Sequence, residues 1–303
     1  MMGFARVFEP LTCRIPFFLA VALTAILPSP YQLVIPALGL LVAGITHGAL
    51  DHELDPQARE SQLRFYLIYL AWIFGFLALW WIYPRAALAV FIIFSADHFG
   101  ECQFIGDLSF AHDSGAKQSG MIIWMIRVWG LFAAIFSPLF HWSESLPILA
   151  SLLREPNFGS GISLPSVRAL SVGLSAAAIL VSIYLDHYER KRGLSSIAFA
   201  STVLLFLVLT CLPLIPGFLC FFGYWHSWDS IRQQRNAKGW TNVEYFKRGI
   251  PFSILAWLGL AGLLVWGKLE GIAVQFLPML FVVLGALSLS HSQVMKRFYR
   301  RLK

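Results

Sequence analysis

The sequence predicts an all-α fold, a polytopic transmembrane helical bundle of about ten spans that forms one integral membrane domain over residues 1–303. Hydrophobic residues make up 58% of the chain and charged residues 13%, about half the charged share of an average soluble domain. The mean hydropathy is +0.69. Apolar runs long enough to cross a bilayer recur along the whole chain. These runs are continuous rather than alternating, which is typical of helices and not of a β-barrel.

Hydropathy places the spans in chain order. The first could pass for a signal peptide, but no small-residue cleavage site follows it, so we interpret it as a short span. Residues 143–153 form a segment too short to cross, which is expected to lie along the interface. The predicted spans are approximately 15–28, 31–50, 63–83, 85–106, 119–140, 166–187, 194–211, 213–233, 250–268 and 272–293.

The basic residues test this topology. Of the 23 Lys and Arg residues, 18 lie on the side that holds both termini, four lie on the opposite side, and Arg127 falls inside a span. By the positive-inside rule both termini are cytoplasmic, the number of spans is even, and the chain is integral to the cell (inner) membrane. The net charge of +7 therefore needs no nucleic-acid partner.

Histidines at the cytoplasmic ends of even-numbered spans predict a metal site there. His187 is expected to be solvated at a charged helix end, and His112 and His141 are expected to be solvated in or beside loops. His52 could be interfacial instead of a ligand, and His291 could contact lipid head groups. The candidate metal ligands are His47, His52, His98, His226 and His291.

Neutral imidazole suits Fe, Cu, Zn and Ni, and ligands from several helices are a known way to build a metal site in a bundle. Asp51, Asp97 and Glu101 lie close enough in sequence to orient these imidazoles from a second layer. The sequence contains no HExxH, Gly-rich phosphate loop or GxSxG motif, which disfavours a metalloprotease, a nucleotide-binding protein and a serine hydrolase. The four cysteines lack CxxC spacing, so we expect neither a disulfide framework nor a zinc ribbon.

Aromatic residues surround two of these histidines. We expect Phe99, Phe222, Tyr224 and Trp225 to line a tunnel for a flat, apolar substrate. The alternative is that they are ordinary span and interface residues, where aromatic side chains are common.

Four short motifs resemble the Brp/Blh family of membrane β-carotene 15,15'-dioxygenases. Residues 47–52 (HGALDH) resemble its HGxxDH segment, residues 98–100 its HFG segment and residues 225–227 its WHS segment. Ser290-His291 resembles a late Pro-His. The order and spacing agree from about residue 31 to 295.

The resemblance implies an enzyme that uses Fe(II) and O2 to cleave the central double bond of β-carotene into two retinal molecules. It implies His47, His98 and His226 as iron ligands. Because an all-histidine site leaves the iron charge unbalanced, we expect Asp51 and Glu101 to act as further catalytic residues from a second layer. In the family another His usually follows the WHS His by four residues, and this chain has Ser230 there. His291 or His52 is then expected to complete the site, or the metal has fewer ligands, or the chain is a divergent member with altered activity.

The implied partners are an apolar polyene, O2, membrane lipid and a rhodopsin apoprotein that receives retinal. Two other classes stay open. One is a membrane metalloenzyme that acts on another isoprenoid or acyl substrate. The other is a non-enzymatic transporter or rhodopsin-associated protein whose histidines handle protons, and such a protein should purify without stoichiometric iron.

Overall fold

The computed structural model describes residues 14–105, 120–191, 197–269 and 273–301. Within these ranges the chain is helical and has no strand, which confirms the all-α prediction. His112 lies outside the described residues. The α-helices are α1 (Ile15–Ile26), α2 (Val34–Gly39), α3 (Asp51–Leu54), α4 (Pro56–Glu60), α5 (Gln62–Ile82), α6 (Pro84–Gly100), α7 (Gly120–Phe140), α8 (Trp142–Leu153), α9 (Leu164–Lys191), α10 (Ala198–Cys211), α11 (Leu214–Cys220), α12 (Ser227–Lys238), α13 (Asn242–Leu269) and α14 (Ala273–Arg301).

Helices occupy every predicted span, and several are long and apolar, as in a membrane protein. The number of crossings stays a prediction, because only some of these helices are long and apolar enough by themselves. Shorter apolar helices cover Ile15–Ile26, Val34–Gly44 and Ala198–Cys211. Among the described residues, the five helices that satisfy both criteria are Gln62–Ile82, Gly120–Phe140, Leu164–Lys191, Asn242–Trp266 and Leu277–Arg301.

Local chemistry sets several helix ends. The Asp55 carboxylate accepts the backbone N–H of Gln57 at 2.8 Å and caps α4. The Ser61 hydroxyl accepts the N–H of Arg64 at 3.3 Å and caps α5. Helix α12 ends at Gly239, whose positive φ of 68° is a conformation that glycine adopts without strain.

Small residues let the histidine-bearing helices approach closely. A Cβ atom on Gly130 of α7 would clash with the carbonyl oxygen of Ala96 on α6. A Cβ on Gly223 would clash with the backbone of Gly39 at the end of α2. Such contacts are a general means of packing helices in membranes. Here the Gly223 contact joins the segments that carry His226 and His47, and the Gly130 contact packs α7 on the helix that carries His98.

Helix α13 stands apart from this tight packing. Most of its side chains are exposed. Tyr245 and Arg248 tie its first turns to Gln234 and Glu53, and two polar contacts lie farther along the helix. The Trp257 indole donates to the carbonyl of Leu41 at 2.9 Å, and the hydroxyls of Ser253 and Thr46 lie 3.1 Å apart. The looser packing leaves a cavity between α13 and the rest of the bundle.

Candidate metal centre and apolar cavity

A π-helical turn lies beside each of three buried histidines. Leu40–Gly44 ends three residues before His47, Glu101–Ile105 begins three residues after His98, and Phe221–His226 ends at His226 itself. A π turn inserts an extra residue into a helix and changes the direction of neighbouring side chains, and such turns are frequent at functional sites.

The three imidazoles meet in the interior. One nitrogen from each of His47, His98 and His226 can be chosen so that all lie within 4.8 Å of one another, a group that could hold a metal ion. The three side chains are only 3–5% exposed. The Nε2 atoms of His98 and His226 are 3.2 Å apart, and Nδ1 of His47 donates to the carbonyl of Gly44 at 2.6 Å.

His291 adds a fourth imidazole beside this group. Its ring centroid lies 4.7 Å from that of His47 and 5.0 Å from that of His98. Its Nδ1 lies 2.7 Å from a carboxylate oxygen of Asp51, and the other oxygen of Asp51 accepts the hydroxyl of Tyr69 at 3.0 Å. The Nε2 atom of His291 is buried and has no hydrogen-bond partner among the described residues.

His52 takes a different position. It is half-buried in the cavity wall and packs against Phe252 with tilted rings whose centroids lie 4.4 Å apart, outside the group of three imidazoles. Of the two candidates for a fourth ligand, the structure therefore brings His291 to the cluster and turns His52 towards α13.

The three predicted carboxylates lie in different places in the structure. Asp51 contacts His291, as described above. Asp97 forms ion pairs of 2.7 Å with Arg127 of α7 and with Lys296 of α14, so it ties three helices together. Glu101 is partly buried in the π turn after His98 and belongs neither to the imidazole group nor to the cavity wall.

Two histidines expected to be solvated behave differently. His187 is exposed, as expected. The expectation for His141 is wrong, because its side chain is 13% exposed and its Nε2 donates to the carbonyl of Leu209 at 2.9 Å. A tight junction between α7 and α8 encloses this ring against α10, which hydropathy alone does not reveal.

Ser230 lies in a buried polar network beneath His47. Its hydroxyl oxygen accepts from Nε2 of Gln234 at 2.9 Å, and the same amide donates to the carbonyl of His47 at 3.0 Å. The hydroxyl of Tyr245 donates to Oε1 of Gln234 at 2.6 Å. Sequence reasoning missed Gln234, Tyr245 and Tyr69. The available signal was a polar or phenolic side chain within or next to an apolar span, where burial requires a partner.

An apolar cavity of about 680 Å³ reaches the imidazoles. His47, His98 and His291 line it, and so do Phe99 and Phe222 from the predicted tunnel set. Tyr224 and Trp225 do not line it. The Tyr224 hydroxyl donates to the carbonyl of Ile35, and the Trp225 indole donates to Gln103.

These features define a class of protein: a helical membrane protein with a candidate metal centre of histidines at the wall of an apolar cavity. The chain belongs to the beta-carotene 15,15'-dioxygenase family, whose family model matches residues 38–299. The match includes all the imidazoles of the centre and every residue of the cavity wall. No curated protein and no solved structure matches the chain.

Proposed function

We propose that the protein is an iron- and O2-dependent dioxygenase that cleaves the central 15,15' double bond of β-carotene to give two retinal molecules. The single observation that supports this most is a cluster of three buried imidazoles, two of which line an apolar cavity, in one chain of this family. The family supports dioxygenase chemistry on a carotenoid. The arrangement supports His47, His98 and His226 as ligands, with His291 as the fourth.

The donor set fits a divalent iron ion. Two nitrogens bound to one ion at about 2.1 Å lie roughly 3.0–3.4 Å apart, and the observed separation between His98 and His226 is 3.2 Å. The Nδ1 bonds of His47 and His291 direct their Nε2 lone pairs away from the backbone and from Asp51. The unpartnered Nε2 of His291 is a buried polar atom that a ligand bond would satisfy.

Iron bound there would supply the one-electron chemistry by which O2 reacts with a closed-shell polyene. The chain's own residues do the rest. Asp51 and Tyr69 orient His291, and the Asp51 charge partly balances a dication held by neutral ligands. Phe99 and Phe222 close the wall around the imidazoles and exclude water from the double bond.

The cavity supports a substrate that arrives from the lipid phase. Several wall residues are also exposed on the outer surface, among them Leu70, Leu255 and Leu287. An apolar polyene can therefore pass sideways from the bilayer, between α5 and α13, to the imidazoles. We further propose that the protein sits in the cell membrane with both termini in the cytoplasm and that retinal passes to a rhodopsin apoprotein.

Expression in β-carotene-producing bacteria tests the proposal. We expect loss of β-carotene and formation of retinal by chromatography, and stoichiometric iron in the purified protein. His226→Ala should abolish both the cleavage of β-carotene to retinal and the binding of iron. The exposed His187→Ala should leave cleavage and iron content unchanged. Unchanged β-carotene with folded, iron-containing protein would redirect the assignment to another isoprenoid or acyl substrate. Folded protein without iron would instead favour the non-enzymatic class.

A further inference from the structure

The cavity extends from the imidazoles towards one side of the bundle. On α14 its wall runs from Leu280 to His291, and on the segment that leads to His226 it runs from Phe218 to Phe222. No wall residue follows His291 on α14. The part of the cavity beyond one helical turn from the histidines is called the apolar arm, and its walls include Ile73, Phe91, Phe94, Phe218, Leu263, Phe281 and Leu284.

Two aromatic rings of the wall lie close together in the apolar arm, well away from the imidazoles. The rings of Phe218 and Phe281 come from different helices, and their centroids lie 6.0 Å apart. Phe281 precedes His291 by ten residues, which corresponds to about 15 Å along an α-helix. We call this pair the floor, because it marks a defined depth from the imidazoles.

The described wall of the apolar arm presents no polar side chain to a bound hydrocarbon. Ser95 and Ser288 are the last polar side chains in the described wall, and each lies only three residues before a histidine of the centre. A polyene in the arm therefore makes no hydrogen bond that could fix its position along the arm. The depth of the arm is the remaining restraint on which carbon atoms lie beside the imidazoles.

We propose that the apolar arm is a length gauge for the substrate. One end of the polyene abuts the Phe218–Phe281 floor, and the depth from the floor to the imidazoles selects the double bond that is cleaved. The inference rests on the proposed function: one C=C bond breaks, and the two atoms of one O2 become the oxygens of two aldehydes. The rest of the substrate extends through the lateral opening near Leu70 and Leu255.

Variants that change the depth in opposite directions test the gauge. Leu284 precedes His291 by seven residues, about 10 Å, so Leu284→Trp should shorten the apolar arm. Phe281→Ala should deepen it. Leu258→Trp is the matched control, because Leu258 is exposed on α13 and lies outside the wall. In β-carotene-producing cells the ratio of retinal to off-centre aldehydes should fall about tenfold in both arm variants and stay unchanged in the control.

A binding measurement separates the gauge from the reaction. Protein freed of metal by a chelator is titrated with linear polyene aldehydes of increasing length, and binding is followed by quenching of tryptophan fluorescence. Affinity should rise with length until the chain fills the arm. The chain length at which affinity stops rising is the break in the curve. The break should move to shorter chains in Leu284→Trp and to longer chains in Phe281→Ala. Leu258→Trp is the reference, because it carries the same added tryptophan.

The outcomes are distinct. A shifted break without retinal formation by any variant would refute the proposed function and support the gauge. An absent break, or one at the same chain length in both folded variants, overturns the gauge even if retinal forms. Should Phe281→Ala fail to fold, Phe281→Leu removes the ring from the floor at a smaller loss of packing.

Discussion

The contact between Asp51 and His291 leads to a quantitative prediction about metal affinity. The Asp51 carboxylate accepts two hydrogen bonds, from Nδ1 of His291 at 2.7 Å and from the Tyr69 hydroxyl at 3.0 Å. In Asp51→Asn, the amide group either faces His291 and favours the tautomer with a proton on Nε2, or faces Tyr69 and leaves that hydroxyl without its acceptor. In both cases the orientation of His291 by a charged partner is lost.

The expected loss can be estimated in two ways. A hydrogen bond to a charged group contributes about 1.5–3 kcal/mol. Removing a partner that orients a metal ligand typically lowers metal affinity about 10–100-fold, which equals about 1.4–2.7 kcal/mol. The two ranges agree, so we expect Asp51→Asn to weaken Fe(II) binding about 10–100-fold. Tyr69→Phe, which removes one neutral donor, should cost about 1 kcal/mol.

Anaerobic titration of metal-free protein with Fe(II) against a competing chelator measures this effect. Glu53→Gln is the matched control, since Glu53 is two residues away and pairs with Arg248 at 3.1 Å on the surface. A thermal unfolding curve of each variant shows whether the fold is intact. If folded Asp51→Asn binds iron as tightly as the parent and Glu53→Gln, the reasoning that places His291 in the metal centre is refuted.

Three further predictions concern the bundle. Gly130→Val should destabilise the protein by about 1–3 kcal/mol, because its side chain would clash with α6. Gly75→Val meets open space and should not destabilise it. Equal thermal unfolding temperatures of the two variants would contradict the packing argument. Asp97→Asn weakens two ion pairs that join three helices and should cost about 1–3 kcal/mol in unfolding free energy, while Glu155→Gln in an exposed pair should have little effect. A C-terminal fluorescent or phosphatase reporter should report a cytoplasmic terminus, and phosphatase activity there would reverse the predicted topology.

The sequence predicts that the three imidazoles lie at a similar depth, because depth follows from where a residue lies along an apolar run. Hydropathy predicts corresponding positions on even-numbered spans for His47, His98 and His226, and the structure brings their imidazoles together. The choice between His52 and His291 depended on the turn after His47, which directs His52 towards Phe252. Hydropathy contains no information about that rotation.

The cavity wall was harder to predict for a related reason. The aromatic run around His226 is continuous in sequence, but a helix distributes successive residues around its axis. Phe222 therefore faces the cavity, whereas Tyr224 packs against Gly39 and Trp225 lies under the guanidinium of Arg14. The cavity itself arises because α13 packs loosely, and that depends on contacts between helices that no single segment encodes.

The three π turns have a consequence for how this centre can change during evolution. Each turn holds one residue more than an α-helical turn, so deletion of one residue from it would restore a regular helix. The side chains on one side of the deletion would then rotate by about 100° relative to the other side. In Leu40–Gly44 such a deletion would swing His47 away from its partners while leaving the helix and its hydropathy almost intact. A relative could thus lose the metal centre without losing any histidine, and residue identity alone would fail to reveal it.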